Sequence, residues 1–346
     1  MQLDRAVQLV EVAKEEVWAD PSNPQGAVAR FEPLLDDSIT SWTAQLPYPV
    51  ASALWTLESK SSSPKERLDQ AFRVWDSYAI FLATVLLSAC QQDEELEVRE
   101  LGEISRILTR EHLSASRATL ATWRVIIDRL SSTFRTMAAK EDRDHVLQMF
   151  GDPAPSTLER ILDKRTPQLL SEVNAARNAW EGHPAAYSKP EQHAQVEKLE
   201  GLLFELRKTV GPAWTDLRLL RAGVASQVAG KLYLEVELVT GNAVPFRRHR
   251  MQVGRIMETD SLFLAAEGAA MPLPLSPLVQ LQAAPAEDRY TCYFYNRLES
   301  PTDARYVSYQ VASESDRTTP LERGAAELLG RISGLPSGSL CWNVYG

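Results

Sequence analysis

Lys231-Leu-Tyr-Leu-Glu-Val-Glu-Leu-Val239 places an apolar residue at every second position from Leu232 to Leu238. That period of two is the mark of a strand with one buried face. Gly241-Asn242 follows, and predicts a turn into a partner strand around Val244–Val253. Upstream the period is different. Leu68, Ala71, Phe72, Trp75, Tyr78, Ala79, Leu82, Val85 and Leu86 recur at helical spacing, which predicts one long buried helix over about five turns. The change falls between Leu220 and Lys231, across Gly223 and Gly230. The chain therefore reads as α+β: an all-α helical bundle over its N-terminal two thirds, then a small, mostly antiparallel β domain with a late helix.

Start signals divide the helical part. Asn23-Pro24 and Ser61-Ser62-Ser63-Pro64 put a capping side chain before a proline of the first turn. Helices are expected over Gln2–Trp18, Ala27–Leu35, Val50–Leu57, Glu95–Leu108, Ala118–Met137 and Thr166–Glu181, with Glu191–Arg221 read as one helix bent at Gly211-Pro212. Further strands are expected at Ser261–Ala265, Arg289–Asn296 and Tyr306–Val311. Thr319-Pro-Leu-Glu322 reads as a capping box for a last helix to about Ile332. The expected units are N-terminal helices over 1–60, a bundle over 61–223 and a β-rich unit over 224–346.

With 37 basic and 46 acidic residues the chain carries a net charge of −9, and from Val224 onward it has 11 basic against 13 acidic residues. Neither part has the positive field that grips duplex DNA. No uninterrupted apolar run reaches the ~18 residues that cross a bilayer. Cys90, Cys292 and Cys341 are scattered and lack metal-ligand spacing. They read as reduced thiols of a cytoplasmic protein.

Chemistry concentrates in Asn174-Ala-Ala-Arg177-Asn178-Ala-Trp-Glu-Gly182-His183-Pro184. On a helix Leu169, Val173, Ala176 and Trp180 share one face, which predicts burial, while Asn174, Arg177, Asn178 and Glu181 share the polar one. Gly182 ends the helix, leaving His183 free to swing back toward Arg177. An Arg followed directly by Asn, then a His after five intervening residues, resembles the signature of the HEPN superfamily of helical-bundle ribonucleases and nucleotide-binding proteins. The resemblance covers about 64–221. A tyrosine that some members carry two residues after the His is Ala185 here, and that role is not carried over.

The resemblance implies metal-independent RNA cleavage with no cofactor. His183 would be the general acid or base, Arg177 the phosphate clamp, and Asn178 the orienting side chain. It also implies a homodimer. Asp76, which interrupts an apolar stripe, is expected either to reach the motif or to lie exposed. Against this stands a plain reading in which Arg177 pairs with Glu172 or Glu181 and His183 caps a helix.

Two surfaces are further candidates for an RNA or protein partner. Arg247, Arg248 and Arg250 read either as a contact or as an edge strand protected by charge. Tyr293, Tyr295 and Arg297 share a strand face that reads either as a recognition surface or as cross-strand packing. Three functional classes are thus expected. One is an RNase toxin or effector of a prokaryotic defence or stress system, with RNA and a protein partner. The others are a catalytically silent scaffold, and a regulatory target of a partner enzyme.

Overall fold

The computed structural model describes residue 14 and residues 39–60, 63–140, 142–182, 187–242, 244–269, 271–284, 289–310 and 316–334. The helices expected at Gln2–Trp18 and Ala27–Leu35 lie outside the described residues, Lys14 apart. The chain is α+β, as expected. Its helical part runs through α1 (Ile39–Thr43), α2 (Tyr48–Lys60), α3 (Pro64–Cys90), α4 (Glu94–Arg110) and α5 (Leu120–Ala139). It continues with α6 (Arg143–Met149), α7 (Pro155–Ile161), α8 (Arg165–Gly182), α9 (Lys189–Val210) and α10 (Ala213–Asp216).

α3 is the axis of the bundle. Ser63 caps it: its hydroxyl accepts from the Glu66 amide and the Glu66 carboxylate accepts from the Ser63 amide, each at 3.2 Å. Two otherwise orphaned donors are satisfied this way. From Leu68 onward its side chains are nearly all buried, against α2, α5, α8 and α9. By length and composition α3 is apolar enough to cross a membrane, a stretch longer than the apolar run seen in the sequence. However, 89% of its apolar window is buried inside the fold, as in the core helix of a soluble protein.

The helix read over Glu191–Arg221 is three elements. α9 stops at Val210 because Gly211 adopts a positive φ of 50° and Pro212 follows. A Cβ at Gly211 would also stand 2.7 Å from the Arg160 guanidinium. After α10 the chain enters β1 (Arg218–Val228), which the sequence reading missed because Leu217, Leu219 and Leu220 fit either period.

Then follow β2 (Lys231–Leu238), β3 (Arg247–Gln252), β4 (Leu262–Ala265), β5 (Leu273–Pro274), β6 (Val279–Ala284), β7 (Arg289–Leu298), β8 (Asp303–Val307), β9 (Asp316–Pro320) and α11 (Arg323–Ile332). They form two antiparallel sheets, ordered β3-β2-β1-β4-β5 and β6-β7-β8-β9. β1 and β2 are joined by Ala229 and Gly230, at φ 50° and 80°. That two-residue turn matches the twist of a hairpin. The capping box expected at Thr319 is not formed. Thr319 belongs to β9, and the N-cap of α11 is Glu322, which makes no side-chain cap bond.

The second sheet and α11 share one hydrophobic core with the helices, from Trp42 to Ile332. Polar bonds stitch the two as well. The Tyr48 hydroxyl donates to the Tyr290 carbonyl at 2.6 Å, Tyr295 to Ala115 at 2.9 Å, and the Ser276 amide to the Ser88 hydroxyl at 2.8 Å. Arg331 on α11 pairs with Glu97 on α4. A smaller cluster, including Leu220, Leu234, Val236 and Phe263, fills one face of the first sheet. The boundary read between Leu220 and Lys231 thus falls within β1; the change from helix to strand comes earlier, after α10, and inside a shared core. Limited proteolysis at the Ala229–Gly230 turn is expected to nick the chain while both fragments stay together on gel filtration. Release of a separately folded C-terminal fragment would contradict this.

Glu100 on α4 is 1% exposed. It accepts from Arg129 Nε at 2.7 Å, Arg99 Nε at 2.9 Å and Thr133 Oγ1 at 3.0 Å. Burial alone would raise its pKa, but the bonds from Arg129 and Arg99 outweigh burial and hold it below the ordinary value. Such a group adds stability above its unfolded pKa of ~4.3, and that stability is lost as pH falls through the lower folded value. Glu100→Gln is expected to cost about 2–3 kcal/mol at neutral pH. In urea titrations the gap to the unmodified chain should shrink below about pH 4. A gap independent of pH would show that the charge is not what matters.

Candidate functional site

The buried stripe of α8 is as expected: Leu169, Val173, Ala176 and Trp180 are all in the core. Trp180 packs against Tyr187, ring centroids 5.1 Å apart. The opposite face opens into a cleft of about 470 Å³ that collects Asn174, Arg177, Asn178 and Glu181. α3 supplies Asp76 and Ile80 to the same cleft. Thr119, Asn296 and Tyr309 close its far side. His183 lies outside the described residues.

Asp76 does reach the motif. Its carboxylate accepts from Arg177 Nη1 at 2.7 Å and from Nη2 at 2.9 Å, a two-bond fork, and Nη2 also donates to the Phe72 carbonyl at 3.1 Å. The guanidinium lies over the Phe72 ring, 4.9 Å from its centroid. Burial alone would lower the Arg177 pKa, but the charge and hydrogen bonds of Asp76 outweigh it and hold it above the ordinary value. Neither partner expected from local spacing forms the ion pair: Glu172 pairs with Arg165 at 2.7 Å, and the exposed Glu181 acts on Arg177 only as a nearby charge. Packing of α8 on α3 sets the Asp76 carboxylate where both its oxygens meet the guanidinium fork.

The far wall comes from the second sheet. Residues before α5 run antiparallel to the end of β7, where the Ala118 amide donates to the Asn296 carbonyl at 3.2 Å and the Leu298 amide to the Ser116 carbonyl at 2.8 Å. Thr119, the N-cap of α5, is thereby set beside Asn296. Tyr309 stacks on Phe294 at 5.1 Å. Burial first, and then the charge of Asp76, keep its hydroxyl protonated well above the ordinary phenol value. Sequence reasoning missed Thr119, Ile80 and Asn296. Only tertiary packing brings them here, and no local pattern announces it.

No known protein family, curated protein or solved structure matches the chain. The site is therefore read from its own chemistry. It offers a cation paired with a carboxylate, three amide side chains, and a protonated phenol. Among the described residues no cluster of three or more His, Cys, Asp or Glu is placed to hold a metal ion. Cys90 and Cys292 are buried free thiols, and burial pushes Cys90 up to about 12, far from nucleophilic.

The other two surfaces resolve differently. β3 is an edge strand, and its register sets Arg248 opposite Glu237 and Arg250 opposite Glu235. Arg248 pairs with Glu237 at 2.9 Å, Arg250 lies 4.5 Å above the Tyr233 ring, and Arg247 is exposed. This matches the charge-protected edge. The face carrying Tyr293 and Tyr295 is not an open recognition surface, since they are 6% and 0% exposed. Tyr295 packs edge-on against Trp123 and Tyr306 under the helices, which is why the face is closed. A register shift separates Tyr295 from Arg297, which pairs with Glu299 instead.

Proposed function

We propose that the α8 cleft is the active site of a HEPN-like, metal-independent RNA endonuclease. In this reading the chain is a cytoplasmic effector or toxin of a prokaryotic defence or stress system. The observation that carries it is the convergence of Arg177, Asn178 and Asp76 in one cleft at the end of α8, next to the position of His183 in the sequence. A neutral imidazole at His183 takes the proton of a ribose 2′-hydroxyl. The 2′-oxygen attacks phosphorus, the bond to the 5′-oxygen breaks, and a second acid protonates that leaving oxygen. The products carry a 2′,3′-cyclic phosphate and a 5′-hydroxyl. Arg177 holds the phosphate as charge builds on it, after Asp76 yields its place on the guanidinium.

One imidazole cannot be both base and acid in the same step. Two symmetric copies supply both, and so the active form is a dimer. Light scattering at micromolar concentration is expected to give twice the mass of the chain, alone or with RNA added. A monomer under both conditions would count against the two-copy site. The overall test is cleavage of single-stranded RNA by the purified chain in chelator.

One observation favours a second reading. The Arg177–Asp76 fork joins α8 to α3 as a structural clamp would, which suits a catalytically silent scaffold. Such a chain would bind its protein partner equally well after His183→Ala.

A further inference from the structure

A separate cleft, of about 870 Å³, lies between the two sheets beside the start of α11. Ile256, Met257, Leu262, Leu275, Leu281 and Leu321 make much of it apolar. Five charged residues also line it: Arg255, Glu258, Asp260, Glu322 and Arg323. One Nη2 bond to the Pro272 carbonyl is the only hydrogen bond of Arg255 among the described residues, and its Nε is buried without a partner. Arg221 is the useful contrast, since its guanidinium pairs with Glu237 and Asp260. Asp260 is thereby occupied, and Glu258 and Glu322, on the same cleft, form no ion pair with Arg255. Burial acts unopposed on Arg255 and lowers its pKa below the ordinary guanidinium value. A half-buried cation with no counter-charge is costly, and a carboxylate on its open side removes that cost.

The cleft also runs along β6, an edge strand of the second sheet, through Val279, Gln280, Leu281 and Gln282. An edge strand presents unpaired backbone donors and acceptors, the template on which an extended peptide adds a strand. We infer that this cleft binds the terminal carboxylate of an extended apolar peptide, which pairs with the free edge of β6 while Arg255 holds the carboxylate. Glu258 and Glu322 disfavour acidic side chains elsewhere in the peptide, so the preferred segment is apolar with its charge at the end.

The test uses the full chain and three probes in calorimetry: an acetylated valine-leucine pentapeptide with a free C-terminus, the same peptide as its C-terminal amide, and isovalerate. The free acid is expected to bind. The amide form, and the acid form on Arg255→Gln, are expected to bind about tenfold more weakly or worse, as for loss of a charge-assisted bond. Hydrogen exchange should slow along β6 when the acid peptide is bound. Equal binding of acid and amide, or no binding of the acid at millimolar concentration, overturns the site. Isovalerate binding as tightly as the peptide overturns strand addition. The acid–amide comparison needs no variant, so a misfolded Arg255→Gln leaves it decisive.

Discussion

Arg177→Ala is expected to lose both RNA cleavage and stability, and the two losses separate in a double-variant cycle. Arg177 and Asp76 are 15% and 19% exposed. Removing one partner strands the other charge in a largely buried setting, at a cost of about 2–3 kcal/mol after allowance for that exposure. Arg177 is no free surface cation, and its truncation is dearer than its place on a polar helix face suggests. Asp76→Ala should cost a similar amount, and the double variant should be more stable than the sum of the single losses by about 1–2 kcal/mol. Cleavage follows a different pattern. Arg177→Ala and the double variant should both lose about 10²–10³-fold, the scale of one lost donor to a developing anion. Asp76→Ala should keep cleavage, because the phosphate no longer competes with a carboxylate for the guanidinium. If Asp76→Ala loses as much rate as Arg177→Ala, Asp76 positions the arginine rather than holding it back. If neither substitution changes cleavage, the clamp is structural.

What was legible in the sequence follows from how local each signal is. α3 announced itself because Ser61-Ser62-Ser63-Pro64 is a start signal and the apolar stripe behind it is long; the capping box with Glu66 came from the structure. The two faces of α8 were equally plain, since Val173 and Arg177 are fixed by helical period alone. The end of α9 was half legible: Gly211-Pro212 was seen as a bend, though the positive φ and the crowding by Arg160 make it a stop. β1 was hidden because Leu217, Leu219 and Leu220 suit a helix as well as a strand. α6 and α7, of seven residues each, are too short to display a period. In the site, Arg177 and Asn178 came from spacing, and Asp76 from its breach of an apolar stripe. Thr119, Asn296 and Tyr309 come from elements more than 50 residues away from the motif, and only the packed core relates them. For Tyr293 and Tyr295, alternation gave the correct strand but not what covers it: Trp123 of the bundle over Tyr295, and Arg317 of β9 over Tyr293.

If the end of α8 cuts RNA without a metal ion, as proposed, the reaction depends most directly on His183. Loss of a general acid or base costs about 10²–10⁴-fold in rate. The measurement is cleavage of a single-stranded RNA by the purified chain in EDTA, with the product ends identified, for the unmodified protein and for His183→Ala. Both proteins should melt at the same temperature, so that lost rate is not lost fold. The unmodified chain should leave 2′,3′-cyclic phosphate and 5′-hydroxyl ends, undiminished by EDTA, and the variant should be slower by at least about a hundredfold. Cleavage abolished by EDTA, cleavage unchanged by His183→Ala, or no cleavage by the unmodified chain would contradict it.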